Sequence, residues 1–197
     1  MKLKGKEALV NADGVGHGSA IAQRIGAECA SVMSTYLELE KAEFTVTAIT
    51  KNGGTANALA ANVADSDDCE AQVDETIQRY GRIDIAVNNA GIALHRLALE
   101  TSLEDWQQVL DINLTGSFLT AKAAARHMVA QESGRIIQIG SISGQRGNMG
   151  GIAYGASKAA VMHVCKVMAV ELSSMGVMVN AIAPGPSQTG ISSHGPT

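Results

Sequence analysis

The sequence predicts a doubly wound, parallel α/β sheet with helices on both faces, and three observations carry that expectation. Short runs dominated by apolar residues, as at 7–12, 83–87 and 135–140, alternate with longer stretches of helical spacing. Strands covered on both faces read as nearly unbroken apolar runs. The first run is followed by a glycine-rich turn, Asp13-Gly-Val-Gly-His-Gly18, and then by a helix. That order lays backbone N–H groups and a helix amino terminus against a phosphate. Finally, the strand ends are polar or glycine-rich, at the glycine turn, Asn62, Asn88-Asn-Ala-Gly91, Ser141 and Pro184-Gly185. Open parallel sheets bind their ligands along that edge.

In chain order, residues 7–12 read as a strand, and a helix over 19–29 carries Ile21, Ile25 and Cys29 on one face. Residues 31–36 supply the second strand. The stretch 37–52 is contested. Phe44-Thr-Val-Thr-Ala-Ile-Thr50 is rich in β-formers, yet the alternation of elements asks for a helix ended by Gly53-Gly54. A third strand spans 56–63. Asp65-Ser-Asp-Asp68 opens the next helix with a capping side chain and acids in its first turn. Cys69, Val73, Ile77 and Tyr80 form its buried stripe, and Gly81 stops it. Residues 83–87 make the fourth strand. One long helical region is expected from 103 to about 131, then a fifth strand over 135–140, a helix from 154 to 175 and a sixth strand over 178–183.

The 197 residues fit a single domain, 1–197, large enough for a full core. With 46% hydrophobic and 17% charged residues the chain is globular rather than disordered. A net charge of −4 with no basic run argues against nucleic acid or an anionic membrane as partner. The basic start is not followed by an apolar stretch of signal-peptide length, and no window approaches a membrane span. Cys29, Cys69 and Cys165 suit free thiols in a reducing compartment, and no metal-ligand spacing is present, so a cytoplasmic protein without a metal is expected.

Chemistry concentrates between Ser141 and Lys158. Tyr154 and Lys158 are four apart at the start of a helical run and therefore share a face. A free phenol, with a pKa of about 10, is a poor base at neutral pH. A neighbouring ammonium favours the phenolate, and such a phenol can pass a proton to or from a carbonyl oxygen. Ser141, thirteen residues upstream at the end of a buried strand, could donate to the same oxygen. A Tyr–Lys pair at this spacing is usually a plain surface pair; the company of Ser141 and the glycine turn points to chemistry. Gly155-Ala-Ser157-Lys-Ala159 loosely mimics a hydrolase elbow, but Ser157 falls within a helix start rather than after a strand.

Together these residues resemble the short-chain dehydrogenase/reductase family in its single-domain branch, a Rossmann-like fold. The resemblance covers essentially the whole chain and rests on Gly16-His-Gly18, Asn88-Asn-Ala-Gly91, Asn113 within Asp-Ile-Asn-Leu-Thr-Gly, Ser141, Tyr154-x-x-x-Lys158 and Pro184-Gly185 followed by Thr189. It implies NAD or NADP and hydride transfer between a secondary alcohol and a ketone, with 3-oxoacyl thioesters and sugars or polyols as leading substrates. It makes Tyr154 the acid/base and has Ser141 hold the substrate oxygen. Lys158 would bind the nicotinamide ribose and favour the neighbouring phenolate, and Asn113 would hold a water leading from Lys158 to solvent. Cofactor contacts are implied at Gly14, Gly16, His17, Gly18, Tyr36, Asn62, Val63, Asn89, Ala90, Gly91, Tyr154, Lys158, Pro184, Gly185 and Thr189. It also implies a homodimer or homotetramer.

The chain differs from that pattern in four places. Asn11-Ala12 stands where Thr-Gly opens the turn, His17 replaces an apolar residue, and Asn62 replaces an aspartate. Tyr36 and Leu37 offer neither an acid nor a base at the end of the second strand. The family continues beyond the Thr189 region, so the domain is expected to be incomplete at its carboxyl end. The alternative is a nucleotide-binding protein of the same fold without catalysis.

Overall fold

The computed structural model describes residues 1–11, 14 and 16–186. Its centre is a six-stranded, wholly parallel sheet. The strands are β1 (Glu7–Asn11), β2 (Ser31–Tyr36), β3 (Thr55–Ala60), β4 (Ile85–Asn88), β5 (Gly134–Ile139) and β6 (Val177–Ile182), in the order β3-β2-β1-β4-β5-β6. The helices are α1 (His17–Ala27), α2 (Leu39–Lys51), α3 (Ser66–Tyr80), α4 (Leu103–Leu110), α5 (Gly116–Ala130) and α6 (Ile152–Leu172). The order reverses direction at β1/β4, where the crevice for a ligand of such a sheet lies.

Alternation along the strands sorts the core into two layers. Leu9, Met33, Ala86, Ile136 and Val179 meet Val73 of α3, Ala121 and Met128 of α5, and Cys165 and Met168 of α6. Ala8, Val10, Val32, Ile85 and Val87 face the other way, onto Ala22 of α1 and Ile49 of α2. The register pairs Asn11 with Asn88 and Ile139 with Ile182, which brings the carboxyl ends of β1, β4, β5 and β6 into line.

The contested stretch after β2 is a helix. Ala42, Thr45 and Ile49 are its buried residues, and Thr45 donates to Ser19 of α1 at 2.8 Å. Burial of one helical stripe outweighs the strand preference of Phe44–Thr50, since propensity is the weaker term. α3 keeps its expected ends. The Asp65 carboxylate accepts from the N–H groups of Asp67 and Asp68, and Gly81 adopts the left-handed conformation at φ 85°.

Several bounds shift. α1 begins at His17, two residues earlier than the spacing suggested, and it stops at Ala27. Cys29 therefore lies past the helix at φ 68° and is exposed, not on a buried face. β3 ends at Ala60, which leaves Asn62 and Val63 in the loop beyond it. β4 begins at Ile85, although the Asp84 backbone already bonds to Glu7 of β1 and Arg135 of β5. Asp84 also anchors this end through its side chain. Its buried carboxylate takes Lys6, Arg82 and the Glu7 N–H at 2.8–3.1 Å. Burial alone would raise that carboxyl, but these donors hold it below the usual carboxylate range.

The long helical region expected over 103–131 runs without interruption from Leu103 to Ala130. What the spacing did not suggest is a π-helical turn within it at Asp111–Thr115, after which Gly116 opens α5. A β-carbon on Gly116 would be driven into the Val63 carbonyl, so only glycine fits at this joint. Among the described residues no helix is long and apolar enough to cross a membrane, and no group of His, Cys, Asp or Glu is arranged to hold a metal ion.

Candidate active site

The ends of β4, β5 and β6 and the starts of α1 and α6 meet around a cavity of about 380 Å³, lined by His17, Asn89, Ser141, Tyr154, Lys158 and Pro184 among others. Ser141 stands just past β5 and is 7% exposed. Its oxygen accepts the Ser143 N–H at 3.1 Å, which uses a lone pair and leaves the hydroxyl proton to be donated. The Pro184 carbonyl accepts the Ile142 N–H at 3.1 Å, so the loop after β6 is held against the same turn.

Tyr154 lies in the first turn of α6, half-buried on the cavity wall. Lys158 follows one turn later and is only 3% exposed. Its ammonium donates to the Ile139 carbonyl at 2.8 Å and lies 5.9 Å from the centre of the Tyr154 ring. Burial pushes this lysine down from 10.5 to about 8, despite the carbonyl that favours its charged form.

Asn113 occupies the π-helical turn and is fully buried. Its Oδ1 accepts the Ile92 N–H at 2.8 Å, while Nδ2 donates to the Ile92 carbonyl at 2.9 Å and to Ser157 Oγ at 3.0 Å. Both ends of the amide are thus engaged by protein, and the side chain acts as a brace between the β4 loop and α6. Gly91 lets the two polar heads come close. A β-carbon there would lie 3.1 Å from Asn113 Oδ1 and 3.3 Å from Lys158 Nζ.

Asn11, noted in the sequence only as a departure, proves to be a clamp. Its Oδ1 accepts the N–H groups of Asn89 and Ala90 at 2.6 and 2.9 Å, and its Nδ2 donates to Asn88 at 3.0 Å. A carboxamide can accept twice and donate across a sheet, which a hydroxyl with one proton does less fully. Ser157, considered only as a nucleophile, is another residue that the sequence reading passed over. It is buried and donates to the Tyr154 carbonyl at 2.7 Å. The available signal was a serine inside an apolar helix, where back-bonding to the preceding turn is common.

The residues present fit a dinucleotide. Gly16, at φ 100°, opens α1 with no side chain to cap it, and the first turn carries no acid, so the helix start offers N–H groups to a phosphate. Beside it a smaller cavity of about 150 Å³ is lined by Tyr36, Asn62, Val63, Ala90 and Gly91. Lys158 sits where the two halves meet at Gly91. Gly14 is set apart from this cradle: it is buried against Lys41 of α2, which a β-carbon would strike. Gly18 is buried inside α1, Gly185 lines the large cavity, and Thr189 lies outside the described residues. The end of β2 is also not free of charge, as its own residues suggested. Lys41 stands 5.1 Å over the Tyr36 ring and pairs with Glu38 at 2.9 Å.

Residues 6–195 match the family described as short chain dehydrogenase. A 3-oxoacyl-[acyl-carrier-protein] reductase of Synechocystis sp. is 45% identical over 184 residues, covering 93% of this chain and 74% of that protein. Glucose 1-dehydrogenase 2 of Bacillus subtilis is 37% identical over 186 residues, with 93% and 72% covered. A crystal structure of a short-chain type dehydrogenase/reductase from Mycobacterium marinum superposes with a TM-score of 0.94 at 36% identity, covering 98% of this chain and 77% of that one. The chain belongs to the short-chain dehydrogenase/reductase family of oxidoreductases.

Proposed function

We propose that the chain interconverts a secondary alcohol and a ketone with NAD or NADP, and that a 3-oxoacyl thioester is its leading substrate, ahead of a sugar or polyol. The convergence of Ser141, Tyr154 and Lys158 on one cavity supports this reading more than any other observation. The nicotinamide, when bound, supplies or accepts the hydride at the substrate carbon. Every other task falls to side chains. Ser141 donates a hydrogen bond to the substrate oxygen, keeping its proton, and orients that oxygen. Tyr154 gives that oxygen a proton during reduction and takes one back during oxidation, so a single phenol serves both directions. Lys158 holds a positive charge behind the phenol from a buried position, where electrostatic effects are stronger than in bulk.

Ala93, Leu94, Ile139 and Ile142 on the cavity wall suit an acyl chain better than a row of hydroxyls. The name carried by the Synechocystis relative agrees with that preference. The exposed faces of Leu103 on α4 and of Val170 on α6, each 80% exposed, would be covered by a second copy of the chain. Nicotinamide absorbance on a panel of 3-oxoacyl esters, sugars and polyols, with both cofactors, tests the substrate assignment. Faster turnover of the 3-oxoacyl esters is expected. Dinucleotide binding with no turnover on any of them would overturn catalysis in favour of a binding role.

A further inference from the structure

We propose that Ser157 is a positioning residue for the reaction, the hydroxyl that locks the turn carrying Tyr154 to the π-helical brace at Asn113. The inference rests on the reading of Tyr154 as acid/base and extends it to a group that touches neither substrate nor cofactor.

The hydrogen-bond directions are forced. The Ile92 N–H can only donate, so Asn113 Oδ1 faces it, at 2.8 Å. Nδ2 then points the other way with two protons, one to the Ile92 carbonyl at 2.9 Å and one to Ser157 Oγ at 3.0 Å. Ser157 must accept from Asn113, and its single proton goes to the Tyr154 carbonyl at 2.7 Å. The result is one directed chain, from Asn113 through Ser157 to the backbone of Tyr154. It lies in the interior, since Asn113 and Ser157 are both 0% exposed.

At its other end the chain reaches the loop after β4. Asn113 holds Ile92 by both backbone groups, and Asn11 holds Asn89 and Ala90, three and two residues earlier. A single path, buried at Asn11, Asn113 and Ser157, therefore runs from the half-buried loop that walls the dinucleotide crevice to the helical turn that carries the phenol. Ser157 is the link where this path enters α6, and Lys158, the next residue, inherits the same fixed backbone. Without the hydroxyl, Asn113 Nδ2 loses an acceptor and the Tyr154 turn loses its tie to the bulge. Small misplacements of a reacting group are costly, on the order of a hundredfold in rate for about 1 Å.

The test is a graded series at one position, measured on protein that binds the dinucleotide. Ser157→Ala removes both bonds. Ser157→Cys keeps the size and weakens them. Ser157→Thr keeps the hydroxyl, which a helical threonine can direct at the carbonyl three residues back. Turnover is expected to fall about tenfold to a hundredfold in Ala, to fall less in Cys and to return to within about threefold of wild type in Thr, with the dinucleotide Kd unchanged throughout. Wild-type turnover in Ala would overturn the proposal. So would a loss in which Kd, turnover and melting temperature move together and Thr restores none of them. If Ala does not fold, the Cys-to-Thr order decides alone, and equal turnover in the two would overturn it. Tyr154→Phe in the same assay separates the role of the phenol from that of Ser157. A fully active Phe variant removes the underlying reading, whereas an inactive Phe beside a fully active Ala removes only the role given to Ser157.

Discussion

Tyr154→Phe is expected to lower turnover about a thousandfold or more while the dinucleotide Kd stays within about twofold. The substitution deletes one oxygen and keeps the ring, so the half-buried packing at the head of α6 and the Lys158 ammonium 5.9 Å from the ring centre are undisturbed. What disappears is the only phenol on the cavity wall, and with it the group that can both give and take a proton at the substrate oxygen. Ser141 can still polarise that oxygen, which leaves some residual rate. Steady-state turnover and a fluorescence titration of bound NADH or NADPH, made on one preparation, measure both quantities. A parallel fall in binding and turnover would mean that the ring, and not its hydroxyl, matters.

Lys158→Met is expected to produce an inactive protein that is more stable than the original. Turnover falls about a hundredfold or more, because the charge beside the phenol is lost. Stability moves the other way through proton linkage. The unfolded lysine keeps its proton up to 10.5, whereas the folded one, dehydrated by burial, releases it near 8. Between those values the unfolded state binds more protons, so wild-type stability rises with pH across that window and is lowest below 8. The gap corresponds to about 3 kcal/mol. Methionine avoids that cost but strands the Ile139 carbonyl, worth about 1–2 kcal/mol, so a net gain of roughly 1–2 kcal/mol is expected at neutral pH. Urea unfolding at neutral and alkaline pH checks this. The variant should show a higher midpoint at neutral pH and lack the alkaline rise; a lower, equally pH-dependent midpoint would contradict it. Such opposition of stability and activity is common where function needs a buried charge.

The central strands were legible because β1 and β4 are buried along most of their length and leave apolar runs, and α3 announced both its ends through Asp65 and Gly81. The placement of Ser141 at a strand end and of Tyr154 and Lys158 on one helical face followed from period and spacing alone. Other features left no such trace. The π-helical turn at Asp111–Thr115 shifts hydrogen bonds by one residue within an otherwise helical pattern, and no composition marks that shift. Asn11 read only as a departure because its value lies in contacts to Asn88, Asn89 and Ala90, far away in the chain. Ser157 was hidden for the same reason, its partner Asn113 being supplied by another helix. Lys41 reaches the end of β2 only because α2 folds back over Gly14. Short-range pattern reveals elements; it does not reveal which buried amide meets which backbone group.

The most direct test follows a label. Reduced dinucleotide carrying deuterium at the transferable position of its nicotinamide is incubated with the protein and a 3-oxoacyl thioester, and the product is analysed by mass spectrometry and proton NMR. The account predicts deuterium on the carbinol carbon of a 3-hydroxyacyl product, with the hydroxyl proton drawn from solvent and the transfer abolished in Tyr154→Phe. Unlabelled substrate recovered unchanged, from protein that demonstrably binds the dinucleotide, would contradict it.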